Sequence, residues 1–277
     1  MLTFQQGTKL IIDNGTDRYE LLVSSGTASQ TFLETTQNVK TIHAPNTIER
    51  SFSTEKGAVN LSFTCNLAAD NVLLEWFGFD PSGSNHVINP LYNTLRGYDV
   101  YIQANGTIYK VADCIGQNIS FSLSRTGVLQ ASFTGVASNI VPVGSIPTTG
   151  SLILQGDFYN GSIVLPGFTN LVSVTCELTR DITWAGKKSI FDIGSIYTQK
   201  NAVFNSMAIS GSITQNKVDD TDTNNAEDFP VLIKYGDSFE INLASCNSTS
   251  RWDMGAIHKK VTDYKLQPTS GSSYIKF

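Results

Sequence analysis

Three histidines, four cysteines and scattered carboxylates are the residues of this 277-residue chain with the greatest capacity for chemistry. His43 lies in a polar loop, His86 in a Gly/Ser/Asn-rich turn and His258 beside Lys259. None stands near a GxSxG elbow or in an HExxH helix, so each reads as a surface histidine. The chain has no Walker loop and no GxGxxG motif after a strand. Glycosidase carboxylates meet only in the fold, and nothing here favours a pair. "RWDMG" (251–255) has the makings of a sugar platform, but a packed tryptophan at a strand end is the commoner reading. "VDDTDTNNAED" (218–228) lacks EF-hand spacing and its turn glycine, so it reads as a solvated acidic loop rather than a calcium site. Cys65, Cys114, Cys176 and Cys246 form no CxxC pair, which argues against a zinc ribbon or redox motif. Each sits in a strand-like context, where free cysteine acts as a small hydrophobe. No catalytic residue, metal ligand or cofactor is expected.

Composition explains why the chemistry is thin. Hydrophobic residues make up 40% of the chain and charged residues 16%, against about a quarter charged in ordinary domains. Ser, Thr, Asn, Gln and Gly supply the polarity, a profile that suits an all-β protein rich in turns. The net charge of −5 argues against a protein that wraps nucleic acid by neutralising phosphates. The N-terminal "MLTFQQGTKLII" lacks the basic and long apolar regions of a signal peptide. No apolar run reaches the ~18 residues of a membrane-spanning helix. A reduced, cytoplasmic site of synthesis is expected.

The elements that must position any surface are strands. "TKLIIDNGTDRYELLVSS" and "YDVYIQANGTIYKVADC" turn at Asn14-Gly15 and Asn105-Gly106, the strongest hairpin signal. "NISFSLSRTGVLQASFTG" is a third hairpin, and "SLILQGDFYNGSIVLPG" is expected to turn near Asn160-Gly161. Residues 24–56 and 185–202 read as long loops; the first is either floppy surface or an arm reaching a neighbouring subunit. Residues 139–151 carry two prolines, two glycines and no charge, which predicts a linker. Two stretches share a layout of alternating strand, short apolar helix and stop glycine: "LSFTCNLA…NVLLEWFG" and "MAISGSIT…FPVLIKYG". The shared layout predicts an internal duplication, with repeats over 1–140 and 151–277 joined by a linker at 141–150.

Alternation in five strands leaves one face of small polar residues, with Glu177 its single acidic member and no Lys or Arg. A wall that lets a polyanion slide past needs such a face, since each basic contact to phosphate adds salt-dependent affinity. A polar sheet face buried against a neighbour would look the same.

These segments carry a resemblance. "RSFSTEKGAVNLSFTCNLAADNVLLEWFG", "YDVYIQANGTIYKVADCIGQNISFSLSRTGVLQASFTGVASNIVPV", "SLILQGDFYNGSIVLPGF-TNLVSVTCELTRDITW" and "FNSMAISGSIT" follow one another as in bacteriophage tail tube proteins of the duplicated major-tail type. The resemblance implies a mainly β fold of two tandem sandwich repeats, each flanked by a short helix, whose strands join neighbours into a closed barrel. It further implies homotrimeric, pseudo-hexameric rings stacked into a tube, housing the tape-measure protein and conducting DNA. Tail terminator and tail-tip or baseplate proteins, and a sheath where the tail contracts, would be partners.

On that reading Ser62, Thr64, Asn66, Ser120, Ser122, Ser124, Ser173, Thr175, Glu177, Ser210 and Ser212 line the lumen. Thr31, Phe32, Ile42, His43, Ile48, Lys187, Lys188, Phe191, Ile196 and Tyr197 lie in loops between rings or subunits. No immunoglobulin-like segment is expected after the second repeat. The competing reading is a carbohydrate-binding β-sandwich or virion decoration module; an all-β hydrolase has least support.

Overall fold

The computed structural model describes residues 1–41, 44–67, 72–79, 81–82, 85–91, 93–124, 127–154, 156–157, 160–186, 196–216, 226–236, 239–254, 258–267 and 273–276. In its first half lie β1 (Leu2–Asp13), β2 (Arg18–Thr41), β3 (Ala44–Asn66), α1 (Val72–Trp76), β4 (Pro81–Ser82), β5 (Asn85–Ile88), β6 (Gly97–Ala104), β7 (Thr107–Ser124), β8 (Gly127–Val128), β9 (Gln130–Ala137) and β10 (Asn139–Val143). The second half holds β11 (Leu152–Ile153), β12 (Asn160–Gly161), β13 (Ile163–Val164), β14 (Leu171–Trp184), β15 (Ala202–Asn216), β16 (Ala226–Tyr235), β17 (Phe239–Met254), β18 (His258–Leu266) and β19 (Ser273–Lys276). The fold is mainly β, as expected, and seventeen strands join one sheet.

Six of these strands close on themselves, in the order β1–β2–β3–β9–β7–β6–β1. Closure removes the open edges that a flat sheet would leave. Alternation fills the interior: Leu10, Ile12, Val23, Leu61, Phe63, Val100, Ile102 and Phe133 are all buried. The expected hairpins at Asn14-Gly15 and Asn105-Gly106 both form. Asn105 and Gly106 have φ of 52° and 78°, as a two-residue type I′ turn requires.

Helix α1 packs against this barrel. It is too short to be stable in water, and four of its five residues are buried. Trp76 stacks on Phe133, with ring centroids 4.1 Å apart. Its indole Nε1 donates to Cys114 O at 2.7 Å. Gly78, at φ +73°, ends the helix: Gly78 N donates to Glu75 O and Phe79 N to Leu74 O, the paired bonds of a Schellman cap.

Several sequence expectations are corrected. Residues 24–41 and 44–56 are strands and not loop: β2 and β3 form a long antiparallel ribbon, paired from Val23↔Cys65 to Thr41↔Ala44. Thr31 and Phe32 lie on β2 and Ile48 on β3; Ile42 and His43 fall outside the described residues. The second apolar "helix" is β16, because Val231, Ile233 and Tyr235 are buried in alternation with Leu232 and Lys234, a period of two. The segments flanking Asn160-Gly161 do not pair with each other among the described residues: β11 pairs with β2, β12 with β8 and β13 with β16. His86 is not a surface residue. It is 2% exposed on β5, between β4 and β19.

The predicted linker is held in place. Its start is β10, paired with β7. Further on, the Arg18 guanidinium donates to the carbonyls of Pro147 at 2.6 Å and Gly150 at 3.0 Å, and Ser151 N donates to Asp17 Oδ1 at 3.1 Å.

Candidate functional site

Antiparallel registers align the small polar residues into rows that cross both halves. One row runs Thr27, Ser62, Thr134, Asn118, Thr179. The next runs Ser25, Thr64, Ser132, Ser120, Glu177, Ser210, Lys265, Asn247. A third runs Asn66, Gln130, Ser122, Thr175, Ser212, Asp263, Thr249. A fourth begins with Ser124 and Ser173. The eleven residues singled out from the sequence thus share one continuous face, and none of them is buried.

The two halves meet in this face along β7 and β14, from Asn118↔Thr179 to Ser124↔Ser173. Beneath it, Val174, Cys176, Leu178, Ile209 and Ile213 are buried, so the face is the outer side of a packed sheet.

The face is stitched by short hydroxyl and amide bonds. Thr27 and Ser62 hydroxyls lie 2.9 Å apart, Thr64 and Ser132 3.1 Å, and Thr175 and Ser212 3.0 Å. Asn118 Nδ2 donates to Thr179 Oγ1 at 2.9 Å and to the Glu177 carboxylate. Hydroxyls bonded to one another stay hydrated without offering a charged grip. Ser25 and Thr27, from the segment read as a loop, belong to the face, as do Gln130, Ser132 and Thr134. Toward β17 and β18 it gains charge: Lys265, Asp263 and Arg251 stand on it, the last two as an ion pair. The absence of Lys and Arg therefore holds for the five strands first read and ends at β18.

Two clasps hold the halves in register. Arg180 of β14 is 3% exposed. Its Nη1 donates to Gly116 O at 3.0 Å and its Nη2 to Asn93 Oδ1 at 2.6 Å. Burial, with the charge of Arg96 adding to it, pulls its pKa down to about 9. At the second clasp Asp113 holds a left-handed backbone, φ 54°. Its carboxylate accepts from Gln199 N at 2.8 Å, and Gln199 Nε2 donates to Leu95 O at 2.7 Å. Burial raises the Asp113 pKa. The end of the loop proposed for ring contacts is thereby pinned to the first half. Ile196 and Tyr197 there are half-buried, and Tyr197 meets Trp184 edge-on at 5.4 Å. Lys187, Lys188 and Phe191 fall outside the described residues.

Among the described residues no cluster of His, Cys, Asp or Glu could hold a metal, and no helix is long and apolar enough to cross a membrane. All four cysteines are buried thiols outside any disulfide. Burial pushes the Cys176 and Cys246 thiols up to about 12. Trp252 of "RWDMG" is a strand residue opposite Lys260.

Comparison with known proteins gives the family: the model of the Bacteriophage Baseplate Tube Protein Family matches residues 5–277, and the chain belongs to that family. Baseplate tube protein p140 of Escherichia phage T5 is 23% identical over 221 residues, covering 74% of this chain and 72% of that protein. The protein is a structural, tail-associated phage protein, and the family implies a place in the virion.

Proposed function

We propose that the chain is a ring subunit of the tube at the baseplate end of a phage tail, acting by self-assembly and not by catalysis. The observation that supports this most is the continuous, nearly uncharged polar face, to which both halves contribute strands. In a closed ring that face lines the bore, so Ser62, Thr64, Asn66, Ser120, Ser122, Ser124, Ser173, Thr175, Glu177, Ser210 and Ser212 meet the passing cargo. The cargo is the tape-measure protein before ejection and DNA during it. Mutually bonded hydroxyls hold phosphates weakly, and Glu177 repels them.

The duplicated major-tail architecture fits within this reading. Residues 1–140 and 151–277 act as two tube repeats, and three chains make a pseudo-sixfold ring closed by heterologous contacts. The helix α1 has no counterpart at β16, so the likeness between halves rests on strands alone. Adjacent rings, a tail-tip or baseplate protein and a tail terminator are the natural partners.

Particles carrying Ser122→Lys with Ser210→Lys test the bore. They should assemble rings of normal appearance by electron microscopy yet eject DNA more slowly, with the defect shrinking as salt rises. Unchanged ejection from well-formed particles would remove these residues from the bore. Purified protein that stays monomeric in the presence of its tail-tip partner would remove the ring itself.

A further inference from the structure

Three Asn-Gly dipeptides stand at Asn14, Asn105 and Asn160. In such a pair the glycine nitrogen, with no side chain beside it, can attack the asparagine side-chain carbonyl carbon. Asn14 and Asn105 share the triplet Asn-Gly-Thr, so only the fold can tell them apart. At the β1–β2 turn both reacting groups are held. Asn14 Oδ1 accepts from Thr16 N at 2.9 Å and from Asp17 N at 2.8 Å. Gly15 N donates to the Asp13 carboxylate at 2.8 Å, and an anion bonded to an N–H opposes loss of its proton. Asn160-Gly161 forms β12, paired with β8 at Val128 and Gly127. A Cβ on Gly161 would lie 2.7 Å from Gly236 Cα, so a neighbouring backbone packs against it.

The β6–β7 turn is open. Asn105 and Gly106 are both exposed. Among the described residues no hydrogen bond holds the Asn105 carboxamide or the Gly106 N–H. A Cβ on Gly106 would meet nothing within 4 Å. The attack requires the Asn105–Gly106 peptide to rotate out of its turn geometry, and nothing packs on the tip to oppose that rotation. Ala104↔Thr107 is the last pair of the hairpin, so the rotation disturbs no more of the ladder than its closing rung.

We propose that Asn105 is a site of spontaneous deamidation in the folded protein, and that the fold protects Asn14 and Asn160. Water is the only co-reactant. Gly106 N gives its proton to solvent base and bonds to Asn105 Cγ. The Cγ–Nδ2 bond breaks, and Nδ2 leaves as ammonia with a proton from solvent. The five-membered succinimide then takes up water at either carbonyl. One opening yields aspartate, the other isoaspartate, whose main chain runs through the side-chain carbon. Either product puts a carboxylate on a tip that carries no charge from residue 103 to residue 109. Isoaspartate also lengthens the backbone by one methylene, against the fixed spacing of a two-residue turn. The tip thus records the age of a subunit as charge.

Peptide mapping by mass spectrometry tests this on the full-length protein, incubated at mildly alkaline pH either folded or unfolded in guanidinium chloride. In the folded protein Asn105 should convert at least about tenfold faster than Asn14, the factor that one hydrogen bond to a charged group carries. In denaturant the two triplets should convert at similar rates. The isoaspartate product is read independently as a methyl acceptor for an isoaspartyl methyltransferase supplied with S-adenosylmethionine. Asn105→Gln, which would need a six-membered ring, should leave the turn unmodified. Asp13→Ala should free Gly15 N and move Asn14 toward the Asn105 rate. An Asn105 that stays intact in the folded protein while it converts in denaturant would overturn the proposal. Conversion of Asn14 or Asn160 as fast as Asn105 in the folded protein would overturn it as well.

Discussion

The guanidinium carbon of Arg180 lies 3.9 Å from the centre of the Phe77 ring. A cation from the second half thus covers the residue that follows the helix of the first, and no described carboxylate pairs with it. Phe77, Asn93 and the Gly116 carbonyl replace its water. Such an arrangement is costly to disturb, because any lost partner leaves a buried polar group exposed to apolar surroundings.

Arg180→Ala should lower stability by about 3–5 kcal/mol and Asn93→Ala by about 2–3 kcal/mol. The double variant should cost less than the sum by about 1–3 kcal/mol. Urea unfolding of the four proteins gives the cycle. Strict additivity would show that the two side chains act independently.

Alkaline pH should unfold the protein early. Burial raises Cys176 and Cys246 to about 12 and moves Cys114 and Tyr264 in the same direction. Unfolded thiols lose their protons near 8.5, while the folded ones keep theirs. Between about pH 8.5 and 12 the folded state therefore holds more protons, and stability falls as pH rises. Arg180 works the other way: its folded pKa is depressed, so its burial penalty eases above about pH 9. Several groups oppose one, and the net slope is downward. Thermal melts from pH 7 to 11 should show it, and Cys176→Ala should flatten it. A melting temperature constant to pH 11 would refute this balance.

Two glycines with similar φ should respond differently to alanine. At Gly78 a Cβ would lie 1.9 Å from Thr94 O, whereas at Gly106 nothing stands within 4 Å. Gly106→Ala should cost about 1 kcal/mol, from backbone strain alone. Gly78→Ala should cost at least about 3 kcal/mol, since strain and backbone collision add. Denaturant midpoints decide it.

Trp76 separates packing from hydrogen bonding. Trp76→Phe keeps a ring against Phe133 and strands the Cys114 carbonyl, for about 1–3 kcal/mol. Trp76→Ala also empties the space beneath the helix, for about 3–5 kcal/mol. Equal losses would mean that the stacked ring contributes nothing.

What could be read from the sequence followed how local the cause was. Asn-Gly turns and strict alternation are set by neighbours in the chain, so the hairpins at Asn14 and Asn105 and the polar face were legible, down to Ser62 and Glu177. The ribbon of β2 and β3 was not, because its Thr/Ser/Asn-rich sequence shows no one-sided apolar period; cross-strand pairing supplies its order. "PVLIKY" is an apolar run that either period can accommodate, and Gly236, taken for a helix stop, is a turn at φ +60°. Arg180 carries a local signal of its own. It falls in phase with Val174, Cys176 and Leu178, all buried, so parity alone places it inside. Its partners Asn93 and Gly116 come from distant segments, which only the fold brings together.

The four cysteines have a consequence of another kind. Every sulfur is sealed from solvent and none is bonded to another. A phage particle passes from the reducing interior of a cell to oxygenated surroundings and meets a new host after an unpredictable wait. A subunit whose thiols neither meet oxidant nor exchange with thiols in the medium keeps its sulfur in one form throughout that passage, and its shelf life outside the cell is decoupled from redox conditions.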